Sequence, residues 1–228
     1  MKNLAFILTS CIFAFSNAAF SQEAPADAET NPCAQYTKSP KLRLRSSFGK
    51  LRYDFDHSES QLRVMSRKQH QMHDDMHMSG LSLCDMDWSF SLSSMTKIID
   101  DKKCVIPTSV DVFVGYRRPV IYINKALSPD SCTYKVVMRH EQQHQQINVA
   151  VLEYYLPTIK SELEKALTYI QAQPLKEGEK SSDVADKLNM KYAEIIRPII
   201  NRFQITLQIE QQKLDNMENY LKESQLCD

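Results

Sequence analysis

The chain has 228 residues, 28 basic and 28 acidic side chains, zero formal net charge and 43% hydrophobic residues. Balanced, intermixed charge excludes the basic stripe of a nucleic-acid binder. The apolar content suits one packed core, and no segment after the amino-terminal apolar run is hydrophobic enough to cross a bilayer.

Met1-Lys2-Asn3 supplies a short positive start, Leu4 to Phe20 is apolar or small, and Asn17-Ala18-Ala19-Phe20-Ser21 offers small residues to a peptidase. That order reads as a secretory signal peptide over residues 1–21, placing the protein in the periplasm or outside the cell. Leu8-Thr9-Ser10-Cys11 loosely resembles a lipoprotein cleavage box, but apolar residues continue past Cys11. Residues 22–41, rich in Ala, Glu, Pro, Asn and Ser, read as a flexible leader. Residues 42–228 form the expected domain, mostly β over 42–127 and a helical hairpin over 128–228.

In the β half, Lys41-Leu42-Arg43-Leu44-Arg45 alternates, and short apolar runs lie within residues 83–92 and 97–106. The clearest strands are Val110-Asp111-Val112-Phe113-Val114 and Val120-Ile121-Tyr122-Ile123. With Gly115 to Pro119 between them, they predict a β-hairpin. Residues 59–78 are polar and compatible with helix. Ser128-Pro129-Asp130 then gives a helix start: a capping side chain, a proline for the first turn and an acid near the positive helix end. Helical periodicity runs to about residue 170 and resumes from about 183 to 221 after a loop holding Pro174 and Gly178. Each helix has one internal proline, Pro157 or Pro198, which should kink it. If the prolines mark equivalent points, the numbers of facing residues add to about 355. The fold class is therefore α+β: a small, mostly antiparallel sheet followed by a long kinked helical hairpin.

The first helix carries His140-Glu141-Gln142-Gln143-His144. Histidines four apart put two imidazoles on one helix face, where they can share one tetrahedral zinc with a third ligand and a water. Glu141 points toward the position of that water and suits a general base. Val136, Val137, Ile147 and Val151 share the face, so the histidines lie in an apolar stripe. The competing reading is two core histidines satisfied by hydrogen bonds.

Ile147 and Ala150 stand where a metzincin extension needs glycine and histidine, so the third ligand must come from elsewhere. Glu162 and Glu164 are within reach along the same helix. The second helix offers Glu210, a carboxylate inside the apolar stripe Leu188, Tyr192, Ile196, Ile199, Phe203, Leu207, Leu214, where it is costly unless paired or metal-bound. The hairpin register puts Glu210 beside His144 and Asp215 opposite His140, with Asp215 toward the flank of the stripe. Asp215 and Glu218 are the alternates. Tyr154, Tyr155 or Tyr220 would serve to stabilise an oxyanion, and an edge strand at residues 118–123 would hold an extended peptide.

HEQQH behind a strand hairpin, in a chain with a signal peptide, resembles the zincin superfamily, and more narrowly the predicted secreted bacterial zinc-dependent proteases of unknown function. The likeness is carried by Cys104 to His144, including Val110 to Tyr116, Pro119 to Ile123 and Ser131-Cys132-Thr133-Tyr134. Leu214-Asp215-Asn216-Met217-Glu218-Asn219-Tyr220 extends it. The resemblance implies a zinc cofactor, a peptide or protein substrate, His140 and His144 as ligands and Glu141 as base.

A second motif is Gln69 to Met78, which holds three of the six histidines and three of the ten methionines. On a helix His70, His73 and His77 share a face, and imidazole with thioether suits copper. This supports the alternative of a non-enzymatic copper- or zinc-handling protein; a helical-hairpin interaction module is the other. After removal of Cys11 five cysteines remain, predicting two disulfides and one odd thiol. The register brings Cys132 near Cys227; Cys84–Cys104 is the second expected bridge, leaving Cys33 odd.

Overall fold

The computed structural model describes residues 31–36, 38–68 and 77–227. The expected signal peptide and residues 22–30 of the expected leader lie outside them. None of the described helices is long and apolar enough to cross a membrane.

The architecture is α+β, with two small sheets and a helical hairpin. β1 (Lys41–Ser47), β4 (Met86–Ile99) and β5 (Lys102–Tyr116) form the larger sheet in the order β1-β5-β4. β1 runs parallel to β5 and β4 antiparallel to it. β2 (Arg52–Asp54), β3 (Gly80–Leu83) and β6 (Val120–Ile123) form the other, with β6 in the middle, parallel to β2 and antiparallel to β3. α1 (Glu59–Lys68) lies between β2 and β3 in sequence.

The expected hairpin between residues 110–114 and 120–123 does not form. β5 already has β1 on one edge and β4 on the other along Ser109 to Gly115, so no edge is left for β6. The real hairpin joins β4 to β5 through Asp100 and Asp101, both at positive φ (46° and 61°). Two left-handed residues in a two-residue turn match strand twist, and aspartate tolerates that conformation better than most side chains. The same topology overturns the expected edge strand at 118–123: β6 is central, and β3 is an edge.

α2 (Cys132–Ala166) is 35 residues long. Its cap is Ser131, whose side chain accepts from the Tyr134 N–H at 3.1 Å, rather than Ser128, which lies in the preceding turn. After a short 3-10 turn the chain forms β7 (Gln173–Pro174), which pairs with Cys104 and Val105 of β5, and then α3 (Ser181–Leu214). α2 and α3 each continue through their proline. The expected second helix ends early: it stops at Leu214, and α4 (Met217–Ser224) begins after Asn216, whose side chain accepts from the Asn219 N–H.

Alternation in β5 turns Val110, Val112 and Val114 onto the helices, where they meet Val151, Leu152, Ile159 and Leu163 of α2 and Tyr192, Ile196, Ile200 and Phe203 of α3. Each fully buried aliphatic chain contributes about 1.5–3 kcal/mol by leaving water. Apolar packing fades toward the open end of the hairpin: Phe203 of α3 is fully buried, but Met217 and Leu221 of α4 are 62% and 56% exposed.

The disulfides are Cys132–Cys227, as the register placed it, and Cys33–Cys104. The expected Cys84–Cys104 pair is not made, and Cys84 is the free cysteine among the described residues. Cys33, expected within the flexible leader, is instead fully buried with Ile106 and Ala172. Cys84 sits on the main core, and burial pushes its thiol pKa up to about 12, which keeps it protonated and unreactive.

Candidate metal centre

α2 places His140, Glu141 and His144 about eight to twelve residues inside a capped helix, so their backbone is fixed by regular hydrogen bonding. The two imidazoles face the hairpin partner, and Asp215 meets them from the break between α3 and α4. The break matters because Asp215 leaves the helical conformation (φ −84°, ψ 61°), which turns its carboxylate inward.

His140 Nε2 is 3.2 Å from His144 Nε2, and Asp215 Oδ1 lies 3.2 and 3.1 Å from the two. A tetrahedral zinc with bonds near 2.0–2.1 Å holds its ligand atoms about 3.3 Å apart. The triangle is therefore already at coordination spacing. These are the residues that could hold a metal ion among those described.

The opposite ring nitrogens are engaged too. His140 Nδ1 is 2.9 Å from Glu223 Oε2, and His144 Nδ1 is 2.5 Å from Gln211 Oε1. Gln211 is held in turn, because its amide donates to the His144 carbonyl at 3.1 Å and to Asn148 Oδ1 at 2.8 Å. With both Nδ1–H groups donating outward, as the hydrogen-bond network assigns them, two Nε2 lone pairs and a carboxylate oxygen face one another. Three acceptors in contact are unfavourable unless a cation lies among them. In the metal-free chain protons take that role. Burial works to lower the His144 pKa, but the hydrogen bond and charge of Asp215 overcome it and raise the pKa to about 9. His140 is raised against the same opposing burial, and both imidazoles hold Asp215 well below the usual carboxylate range.

Glu141 is 6% exposed, and burial raises its carboxyl to about 7, with partial relief from the two histidines and a Ser82 backbone hydrogen bond. It lies against β3, where Gly80 permits the approach: a Cβ at Gly80 would fall 2.7 Å from Glu141 Oε1 and 2.6 Å from Val137 Cγ1. Gln145, one turn on, donates to the Ser82 hydroxyl. A carboxyl that titrates near neutrality is suited to take and return a proton.

The other side of the centre is open. The side chains of His140 and His144 are 7% and 12% exposed, whereas that of Asp215 is 42% exposed. Tyr220 lies there: its hydroxyl donates to Asp215 Oδ1 at 2.7 Å, and its ring lies 5.3 Å from that of His140.

Glu210 does not join the group. It pairs with Lys213 at 2.7 Å, and its side chain is 37% exposed, because the apolar stripe that made it costly has faded by that turn. Glu218 pairs with Lys222 and is 79% exposed. Glu162 pairs with Arg202, and Glu164 lies near Lys160. Tyr155 bonds to Thr206 and packs near Phe203, while Tyr154 is 77% exposed. In the second motif, His77 contacts Glu59 at 3.1 Å; His70 and His73 lie outside the described residues.

Searches against protein families, curated proteins and solved structures find no match. The centre is therefore read from its own geometry. Sequence reasoning missed Gln211 and Glu223. The hairpin register does set Gln211 opposite His144, so it was findable. Glu223 was not, since that register sets it beside Cys132; only the break after Leu214 shifts it back to His140.

Proposed function

We propose that this protein is an exported zinc-dependent hydrolase that cleaves peptide bonds, with His140, His144 and Asp215 as ligands and Glu141 as general base. The observation that carries the reading is the triangle of Nε2, Nε2 and Oδ1 atoms at 3.1–3.2 Å. Two imidazoles and one carboxylate are a donor set that suits zinc and leaves a coordination position free. Zinc held there would acidify a water and polarise a carbonyl. Glu141, near pKa 7, would receive the water's proton and pass it to the leaving amine. Tyr220, on the open side, is placed to donate to a developing oxyanion once its hydroxyl turns from Asp215. β3 is the sheet edge lying against Glu141, so an extended peptide would pair there rather than along β6. Export is supported by the amino-terminal sequence and agrees with the two disulfides.

The test is metal content by mass spectrometry on the purified mature protein beside the His140→Ala/His144→Ala variant, followed by peptide-library cleavage with Glu141→Gln as control. One zinc per chain, lost in the double variant, and cleavage lost in Glu141→Gln with zinc retained are the expected results. Absence of zinc after exposure to the metal refutes the proposal.

A further inference from the structure

α4 is attached to the molecule in an unusual way for a helix that borders a buried site. It is 8 residues long and buries none of them. A helix this short has no stability of its own, and apolar packing does not supply it here. Beside the turn that joins it to α3, it is linked by the Tyr220 ring near His140 and the Tyr220 hydroxyl on Asp215, by the Glu223 carboxylate on His140 Nδ1, and by the Cys132–Cys227 bridge just beyond its end. The bridge ties α4 to the first residue of α2, the helix that carries both histidines.

Glu223 has a specific geometric relation to the centre. Its side chain is 13% exposed, and its oxygen lies 2.9 Å from His140 Nδ1, on the side of the ring opposite the Nε2 that faces Asp215. A carboxylate there fixes both the tautomer and the plane of the ring, and makes Nε2 a better donor to a metal. The two bridges also differ in access. Cys33 and Cys104 are fully buried, whereas Cys132 is exposed. A reductant in solution therefore meets Cys132–Cys227 first.

We propose that Glu223 is a positioning residue for the metal ligand His140 and that the Cys132–Cys227 bridge keeps it in place, which makes the metal affinity of the centre dependent on the redox state of that bridge. The inference rests on the metal-centre reading above. The reductant is a dithiol. One of its thiolates displaces a cysteine sulfur to give a mixed disulfide, and its second thiol then closes the reductant's own disulfide and releases the other cysteine. Two electrons pass to the bridge, and Cys132 and Cys227 are left as thiols. α4 then keeps its contacts with His140 and Asp215 and its link to α3, with no fully buried residue of its own to hold it in register.

The experiment is zinc affinity of the mature chain by competition with a chromophoric chelator, together with the visible spectrum of the cobalt-substituted protein. The proteins are wild type, Glu223→Ala, Glu223→Gln, Cys132→Ser/Cys227→Ser, and the combination of Glu223→Ala with the serine pair. Glu223→Ala is expected to weaken zinc roughly 10–100-fold, and Glu223→Gln, whose amide oxygen still accepts from Nδ1–H, to recover much of that loss. The serine pair should weaken zinc by a similar factor with Glu223 present, and adding Glu223→Ala should then cost little more, because both changes remove the same contact. Wild-type protein treated with a dithiol, alkylated and desalted should behave as the serine pair does. Glu223→Ala within twofold of wild type, or Glu223 and cysteine effects that multiply in full, would overturn the proposal. A wild-type chain that binds no zinc fails at the earlier step and refutes the centre itself.

Discussion

Asp215→Ala against Glu210→Ala is the sharpest test of the centre, because the two carboxylates are five residues apart and the apolar pattern of α3 favours the wrong one. Asp215 Oδ1 is within 3.2 Å of both Nε2 atoms, while Glu210 is bonded to Lys213. Structural zinc sites of four protein ligands bind with about 10–16 kcal/mol. One ligand of four is then worth roughly 2.5–4 kcal/mol, and removing it should weaken zinc about 60- to 700-fold. Glu210→Ala removes only a surface ion pair, worth roughly 0–1 kcal/mol to folding, and should leave zinc affinity within about twofold. The assay is competition with a chelator of known affinity at constant pH and salt, with the circular dichroism of each variant confirming its helical content. The reasoning is refuted if Asp215→Ala holds zinc as wild type does, and more decisively if Glu210→Ala does not.

Two further outcomes follow from the same geometry. In the metal-free protein His144 titrates at about 9 rather than its ordinary 6.5, and Glu141 at about 7 rather than 4.5. Both folded values lie above the unfolded ones, so the folded chain holds more protons than the unfolded chain across this window. The stability from His144 is complete below pH 6.5 and is lost as pH rises through 9, and the charging of buried Glu141 adds to the loss above pH 4.5. The metal-free melting temperature should therefore fall between pH 6 and pH 9, while zinc affinity climbs because the metal competes with those protons; a melting temperature that rises over that interval contradicts the assignment. Gly80→Ala puts a methyl group 2.6 Å from Val137 Cγ1 and 2.7 Å from Glu141 Oε1. Overpacking of this kind costs about 1–3 kcal/mol, or about 2–12 °C in melting temperature at this chain length, and the cleavage proposed above should fall further than stability because Glu141 is displaced. Unchanged melting and unchanged activity would show that β3 does not support the base.

The periodic features were legible in the sequence because they depend on local spacing. Histidines four apart define one helix face, a Pro174–Gly178 loop defines a hairpin, and the hairpin register brings His140 to Asp215, His144 to Gln211 and Cys132 toward Cys227. What depended on strand partners was not legible. β6 reads as the partner of β5 because it follows it directly, yet β5 has both edges occupied by strands that precede it in sequence. Cys33 was hidden for the same reason: only the folded sheet brings its leader segment onto Cys104. The expectation of Glu210 beside the two histidines failed on a more instructive point. Burial in an apolar stripe argues for a metal role only while the stripe is packed, and α3 is no longer packed at Glu210. The decisive signal was Asn216, a strong helix cap with its partner Asn219 three residues on. A cap inside a periodic segment marks a break, and a break is where a carboxylate escapes the helix and can turn toward a partner.

The position of the centre along the hairpin explains why it is built as it is. At the closed end, Tyr192, Ile196, Ile200 and Phe203 pack against α2 and β5, and apolar burial joins the helices beside the Arg202–Glu162 ion pair and the Tyr155–Thr206 hydrogen bond. Toward the open end this packing runs out, and α4 buries nothing. Three other kinds of bond take over there within a few residues: the polar clasp of Gln211 on His144 and Asn148, the convergence of two imidazoles on Asp215, and the Cys132–Cys227 bridge. A fully apolar open end would be stable without a metal, but it would also close the face on which Asp215 and Tyr220 meet solvent. Holding that end by directional bonds instead keeps one side of the triangle accessible, which the hydrolytic centre proposed above would require for water and substrate to enter. The weak apolar packing of α4 is therefore part of the site's construction, and a bound metal would be expected to stabilise the open end of the hairpin far more than the closed one.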